Sequence, residues 1–318
     1  MIPDKSRKLQ NKQKRRGHLS LLSVVLSAIL MLVLLTCCDR PDPTPESSGA
    51  ENTETETDVD ESLTAYDGTD LKVTFLNAGK ADVIVIRHGD SVTMIDTGLE
   101  SEKDTMTDYL DAQGIETIDR LFLTHYDRDH IGGVPALLDH CTVKEVYVTS
   151  IEAKSTDEAK ACKSALAKAS ITPEIIRGDK EIYTEDHLCF QIDGPQKKSY
   201  LKDTSNNSSL VIRLTYAGHS FLFLGDALEE RIDEITGQGR WSAEVVKMPH
   251  HGGYEKNLGT LLDEVKPRIA VITCSDKERE EKKTEDLLSD RGIKTFLTRK
   301  GTVTITVEED RIRDTQKD

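Results

Sequence analysis

A chain of 318 residues with 36% hydrophobic and 31% charged side chains is long enough for one large domain or two small ones. Its formal charge is −15, and residues 1–36 carry seven basic side chains against one acidic, which leaves −21 for the remainder. A surface so acidic repels nucleic-acid phosphates over a Debye length of roughly 8 Å. No basic stripe interrupts it. Composition therefore counts against tight non-specific binding of duplex DNA, although a bound divalent metal would offset the field locally.

The first 18 residues are basic and polar, with Lys5, Arg7, Lys8, Lys12, Lys14, Arg15 and Arg16 against Asp4. Leu19 to Leu35 is then almost wholly apolar, broken by Ser20, Ser23 and Ser27. A basic flank before an apolar run is the pattern of a secretory signal or signal-anchor. Residues 1–36 are therefore expected to be a signal peptide or membrane anchor, which places the rest outside the cytoplasm. The run ends at Leu34-Leu35-Thr36-Cys37-Cys38, which resembles a bacterial lipoprotein signal with Cys37 lipidated, although Thr36 stands where a small residue is usual. Lipid anchor and uncleaved helix both remain open, as does release by cleavage. Residues 37–70 are rich in Pro, Glu, Thr, Ser and Asp. They bury too little apolar surface to offset ordering and are expected to form a disordered acidic tether.

From Leu71 the texture changes. Short β-rich segments are expected at Leu71–Leu76, Asp82–Arg87 and Ser91–Ile95, separated by the turn signals Asn77-Ala78-Gly79 and His88-Gly89-Asp90. A helix near Glu102–Gln113, a strand at Asp119–Thr124, a polar loop and a helix from about Gly133 to Asp139 follow. Lys144–Thr149 reads as strand and Asp157–Ala169 as helix. Further strands are expected at His187–Ile192, Ser209–Tyr216, Ser220–Leu224, Glu244–Met248, Arg268–Thr273, Lys294–Leu297 and Thr302–Val307. Helices are expected at Leu228–Ile235, near Asn257–Val265 and at Lys277–Asp290. Strand pairs and helices in this mixture suit an α/β sandwich of two mixed sheets with outer helices, spanning residues 71–310 and followed by a C-terminal tail at 311–318. One echo supports two halves: Leu121–Asp139 and Val245–Asp263 both run strand, His-bearing loop, Gly-Gly, then a segment ending Leu-Leu-Asp.

The chemistry concentrates at Thr124-His125-Tyr126-Asp127-Arg128-Asp129-His130-Ile131-Gly132-Gly133. Four potential ligands fall within six positions directly after a strand, and imidazole and carboxylate donors suit Zn²⁺, Mn²⁺ or Fe²⁺. Three distant segments each deliver a polar residue at a strand's carboxyl end with a glycine close by: Asp96 before Gly98, Asp226 after Gly225, and His250 in Pro249-His250-His251-Gly252. Lys247 and His251 are candidates for holding a substrate phosphate or protonating a leaving oxygen; alternatively Lys247 merely edges a strand and His251 supports His250. His88, His140, His187 and His219 have no link to this cluster, and Trp241 reads as a packing residue. Cys141, Cys162, Cys189 and Cys274 lack paired metal spacing and leave disulfides and buried thiols equally open.

This residue set, from about Leu71 to Val307, resembles the metallo-β-lactamase superfamily, with His-x-Asp-x-Asp-His where most of that family has His-x-His-x-Asp-His. Together with Asn206-Asn207-Ser208-Ser209-Leu210-Val211, Gly225-Asp226 and Pro249-His250-His251-Gly252, the variant looks like the soluble hydrolase domain of ComEC-type DNA-uptake proteins, without their long membrane channel. The resemblance implies an αββα metallo-β-lactamase fold and a centre of one or two divalent ions, Mn²⁺ or Zn²⁺. His125, Asp127 and His250 would serve one half-site, Asp129 and His130 the other, with Asp226 bridging. Asn206-Asn207 stands where the family's isolated middle histidine is expected, which puts the second metal in doubt and shifts the choice toward Mn²⁺. Such ions would acidify a bound water, with Asp129 orienting the nucleophile or handling its proton. The expected function is an exported metal-dependent phosphodiesterase or nuclease acting on a phosphoester, with nucleic acid one candidate. Alternatives are a hydrolase of another phosphoester, an ester or a lactam, or a non-catalytic surface-binding lipoprotein. No protein partner is implied.

Overall fold

The computed structural model describes residues 66–184, 187–309 and 311–317. The expected signal or anchor, its two cysteines and most of the tether lie outside the described residues.

Residues alternate between two environments along almost every strand, as a period of two requires. In β4 (Thr117–Leu123), Phe122 packs into one apolar cluster while Leu121 and Leu123 pack into another. In β10 (His219–Phe223), Phe221 and Phe223 join the first cluster and Leu222 a third. The first cluster lies between two sheets, and the other two lie between each sheet and its own helices. Both faces of each sheet are thus apolar, and a sheet buried on both faces must be covered on both.

One sheet has eight strands in the order β15-β14-β1-β2-β3-β4-β5-β6. Its members not yet placed are β1 (Leu71–Phe75), β2 (Ile84–His88), β3 (Ser91–Ile95), β5 (Thr142–Thr149), β6 (Glu174–Ile176), β14 (Thr302–Glu308) and β15 (Arg311–Lys317). The other has seven, β13-β12-β11-β10-β9-β8-β7, comprising β7 (Asp179–Tyr183), β8 (Cys189–Asp193), β9 (Val211–Tyr216), β11 (Val245–Lys247), β12 (Ile269–Ile272) and β13 (Lys294–Leu297) beside β10. Each sheet is mixed: β3 through β6 and β10 through β13 run parallel, the rest antiparallel. Helices α1 (Lys103–Ala112), α3 (Val134–His140) and α4 (Asp157–Lys168) cover the first sheet through Met106, Leu110, Val134, Leu137 and Leu166. Helices α6 (Glu229–Ile235), α7 (Leu258–Val265) and α8 (Lys282–Asp290) cover the second through Ile232, Leu261, Val265 and Leu288. Single turns α2 (Arg128–Ile131) and α5 (Thr204–Asn207) complete the set. The expected αββα sandwich is the observed architecture. Trp241 is fully buried in the third cluster. All four described cysteines are free, buried thiols.

Several boundaries differ from expectation. The C-terminal tail is strand β15, paired with β14 from Thr302↔Lys317 to Glu308↔Arg311. Its sequence is polar because it is an edge: Ile312 alone packs on the core, and Gln316 Nε2 donates to Leu297 O (2.7 Å) and Gly301 O (2.9 Å). Charged residues on such an edge discourage pairing with another chain. The tether ends sooner than Asp70, since Tyr216 Oη donates to Asp67 Oδ1 and Thr69 O, each at 2.6 Å. Strands β6 and β7 were not expected, being short and, for β7, without a buried residue. Helix α8 starts at Lys282, five residues after the expected Lys277.

A candidate metal centre between the sheets

The site forms where strand carboxyl ends from both sheets meet. After β4 the chain turns through His125–His130, and backbone bonds pin this loop: Thr97 N–H donates to His130 O (2.7 Å) and Asp82 N–H to Asp129 O (3.1 Å). Gly133 is required by close approach, because a Cβ there would lie 2.2 Å from Thr97 O. From the second sheet, Gly225 turns the chain after β10 at φ +52, where a Cβ would come 2.8 Å from Ser209 Cβ. That turn lets Asp226 N–H donate to Ser209 Oγ (3.0 Å). After β11 both His250 (φ 46) and His251 (φ 53) adopt the left-handed region, as does Asp96 (φ 58) after β3. Non-glycine residues pay for that conformation, and such strain concentrates at functional sites.

Four side chains converge. Asp129, His130, Asp226 and His251 each offer a ligand atom, and these atoms lie within 4.8 Å of one another. His130 Nε2 is 3.2 Å from Asp226 Oδ1, while His251 Nε2 is 3.3 Å from Asp226 Oδ2 and 3.4 Å from Asp129 Oδ2. Yet His130 Nε2, His251 Nε2 and Asp226 Oδ1 are buried without a hydrogen-bond partner. Buried polar atoms are nearly always satisfied, so a knot of orphaned donors facing one another fits a cation at their focus.

The far side of each imidazole supports the same reading. His130 Nδ1 lies 2.7 Å from Asp96 Oδ2, and Asp96 is itself fixed by Thr124 N–H (2.8 Å) and Thr124 Oγ1–H (2.6 Å). His251 Nδ1 donates to Thr273 O at 3.0 Å. Each Nδ1 faces an acceptor, which leaves Nε2 with its lone pair toward the centre, as metal-bound histidines require. Burial alone would push both imidazoles down. Asp226 and Asp96 outweigh it at His130, holding it well above its ordinary value, and Asp226 and Asp129 raise His251 to about 9. Against the penalty of burial, His251 and His130 hold Asp226 well below the usual carboxylate range. The carboxylates thus demand positive charge here, which a divalent ion would supply in place of protons.

Other expected residues fall elsewhere. His125 is buried beside His130, ring centroids 4.0 Å apart, and burial then His130 push it down to about 4. Its Nε2 lies 3.8 Å from Asp127 Oδ2. Asp127 accepts a hydrogen bond from the Ser205 hydroxyl, and burial raises its carboxyl despite that bond. His250 is not part of that group of four, and its ring centroid is 6.3 Å from that of His251. The structure groups His251, rather than the expected His250, with Asp129, His130 and Asp226. Lys247 does not face solvent. It is fully buried, with Nζ against Asp82, 3.0 Å from Gly225 O and 3.7 Å from Asp226 Oδ1, so its ammonium is engaged within the protein. Asn207 is also spent internally: Nδ2 donates to Lys202 O (2.9 Å) and Asp203 O (3.1 Å), and Oδ1 accepts from Arg231 N–H.

Asp82 and Thr273 went unread in the sequence. Asp82 is buried, and Lys247 holds its carboxyl down against burial. It accepts from Thr273 Oγ1 at 2.6 Å and sits 3.6 Å from His251 Nδ1, so the pair backs the histidine that the sequence left ambiguous. The available signal was position alone, just before β2 and just after β12.

The Metallo-beta-lactamase superfamily profile matches residues 76–275, which includes every residue of this centre. The chain belongs to the metallo-β-lactamase superfamily. Its members are typically metal-dependent hydrolases. The chain is 28% identical over 228 residues to ComE operon protein 3 of Bacillus subtilis (strain 168), covering 63% of this chain and 29% of that protein. It is 25% identical over 208 residues to competence protein ComA of Neisseria gonorrhoeae, covering 63% of this chain and 26% of that one. The chain thus spans under a third of the length of these relatives. Among solved structures, the metallo-β-lactamase fold protein YhfI of Bacillus subtilis aligns at TM-score 0.47 and 13% identity, over 71% of this chain and 96% of that one.

Proposed function

We propose that this protein is an exported, metal-dependent phosphodiesterase whose substrates include nucleic-acid strands. The convergence of Asp129, His130, Asp226 and His251, with His130 Nε2, His251 Nε2 and Asp226 Oδ1 unpartnered, carries this reading. A divalent ion at that focus would acidify water and stabilise charge developing on a phosphoryl oxygen. The donor set of two imidazoles and two carboxylates suits Mn²⁺ or Zn²⁺.

The chain's own residues define how a substrate approaches. The side chains of His130 and His251 are sealed, at 0% and 1% exposed, whereas Asp129 and Asp127 are 23% and 36% exposed. The centre therefore opens along the loop that follows β4. Asp129 lies at that opening with Oδ2 fixed by His251, where it can orient a nucleophile. Asp127 stands beside it at the same opening. Likeness to competence proteins favours a nucleic-acid strand over a lactam. The acidic surface favours a short or single strand over long duplex. Export rests on the basic-then-apolar pattern of residues 1–36 and remains part of the proposal.

The test is turnover by the purified full-length chain on bis(p-nitrophenyl) phosphate, p-nitrophenyl phosphate and a chromogenic β-lactam, with Mn²⁺ or Zn²⁺. The diester should be cleaved fastest, and Asp226→Asn should abolish the activity. Preference for the lactam, or full activity in Asp226→Asn, would overturn the assignment.

A further inference from the structure

We propose that the two halves of the centre hold cations unequally. The half built from Asp129, His130, Asp226 and His251 retains one divalent ion tightly. The half built from His125 and Asp127 takes a second ion at least about 100-fold more weakly, a difference of about 2.7 kcal/mol. This rests on the metal-dependent reading above and adds to it which ion is resident.

The asymmetry is geometric. The first half supplies four ionisable or imidazole donors already within 4.8 Å of one another. Both of its histidines have Nδ1 against a carboxylate or carbonyl acceptor, at 2.7 and 3.0 Å, so Nε2 is committed to the centre. His125 has no such anchor. Its Nδ1 meets only hydroxyls, Thr124 Oγ1 at 3.2 Å and Ser209 Oγ at 3.4 Å, contacts longer than those at His130 and His251. Those hydroxyl protons go to Asp96 Oδ2 and Asn206 O, so both oxygens accept from Nδ1–H, but neutral acceptors at that range hold the ring more weakly than a carboxylate or carbonyl does.

His125 and Asp127 also lack company. Among the described residues they join no group of three or more metal-binding side chains. The neighbour that reaches Asp127 is the hydroxyl of Ser205, which occupies one carboxylate oxygen. Next to it, buried Asn206 presents an unpartnered Oδ1. A hydroxyl and an amide are poor substitutes for imidazole toward Zn²⁺. Two strong donors and solvent form a weaker site than four.

Full-length protein stripped with chelator, loaded with excess Mn²⁺ or Zn²⁺ and desalted should retain one ion per chain by elemental analysis. Calorimetric titration should show a second event at least about 100-fold weaker. His125→Ala should still retain one ion, while His251→Ala and Asp226→Asn retain none, with unchanged far-UV circular dichroism marking each variant as folded. Two ions retained by the wild type, or loss of the retained ion in His125→Ala, would overturn the asymmetry while leaving diester hydrolysis standing. No ion retained by the wild type would overturn both.

Discussion

Replacing Lys247 by methionine keeps most of the side-chain volume and deletes a charge that nothing else at that position can supply. The ammonium is fully buried, against Asp82 and 3.7 Å from Asp226 Oδ1. Asp82 is 1% exposed, and its remaining side-chain hydrogen bond comes from Thr273 Oγ1. Removing one partner of a buried ion pair leaves the other charge uncompensated, at a cost of about 3–5 kcal/mol. Against a total stability of about 5–15 kcal/mol, the variant should fold but unfold early. With a urea slope of about 2–3 kcal/mol/M, the midpoint of the metal-free protein should fall by roughly 1–2 M. Adding Asp82→Asn should recover much of that loss, since the stranded charge is then gone. A Lys247→Met midpoint within a few tenths molar of wild type, with turnover abolished, would refute this and restore a direct catalytic role for Lys247.

Gly133→Ala should destabilise by about 1–3 kcal/mol through overpacking, because its Cβ would meet Thr97 O at 2.2 Å. Thermal unfolding measures the loss, and metal retention should fall with it as the His130 loop shifts. Arg299 holds Glu280 down to about 2 against the penalty of burial, through bonds at 3.1 and 2.9 Å. A depressed carboxyl stabilises above its ordinary value of 4.5 and loses that contribution as pH falls toward 2. The urea-midpoint gap between wild type and Arg299→Met should therefore be widest above pH 4.5 and narrow steadily below it; a gap indifferent to pH would contradict the pairing.

The fold was legible where apolar alternation is strong, as in β4 and β10, and the loop after β4 was legible because four donors crowd into six positions. His251 was not separable from His250 by sequence. Both follow β11 and both precede a glycine. His251 is distinguished by Thr273, which lies 22 residues away and anchors Nδ1. Lys247 looked available because it ends a strand near histidines. Its partner Asp82 is 165 positions distant, and no local pattern encodes that burial. Strands β6, β7 and β15 escaped notice for another reason: edge strands are held by backbone bonds, and their side chains carry little hydrophobic signal.

The echo between Leu121–Asp139 and Val245–Asp263 has a mechanical meaning. One copy, after β4, supplies Asp129 and His130, and the other, after β11, supplies His251, while Asp226 joins them from the neighbouring β10. Neither leaf of the sandwich owns a complete cage, so a cation seated there acts as a rivet through both. Gentle denaturation that lets the leaves slip past each other would release the ion and silence the enzyme while its helices and ladders are still intact.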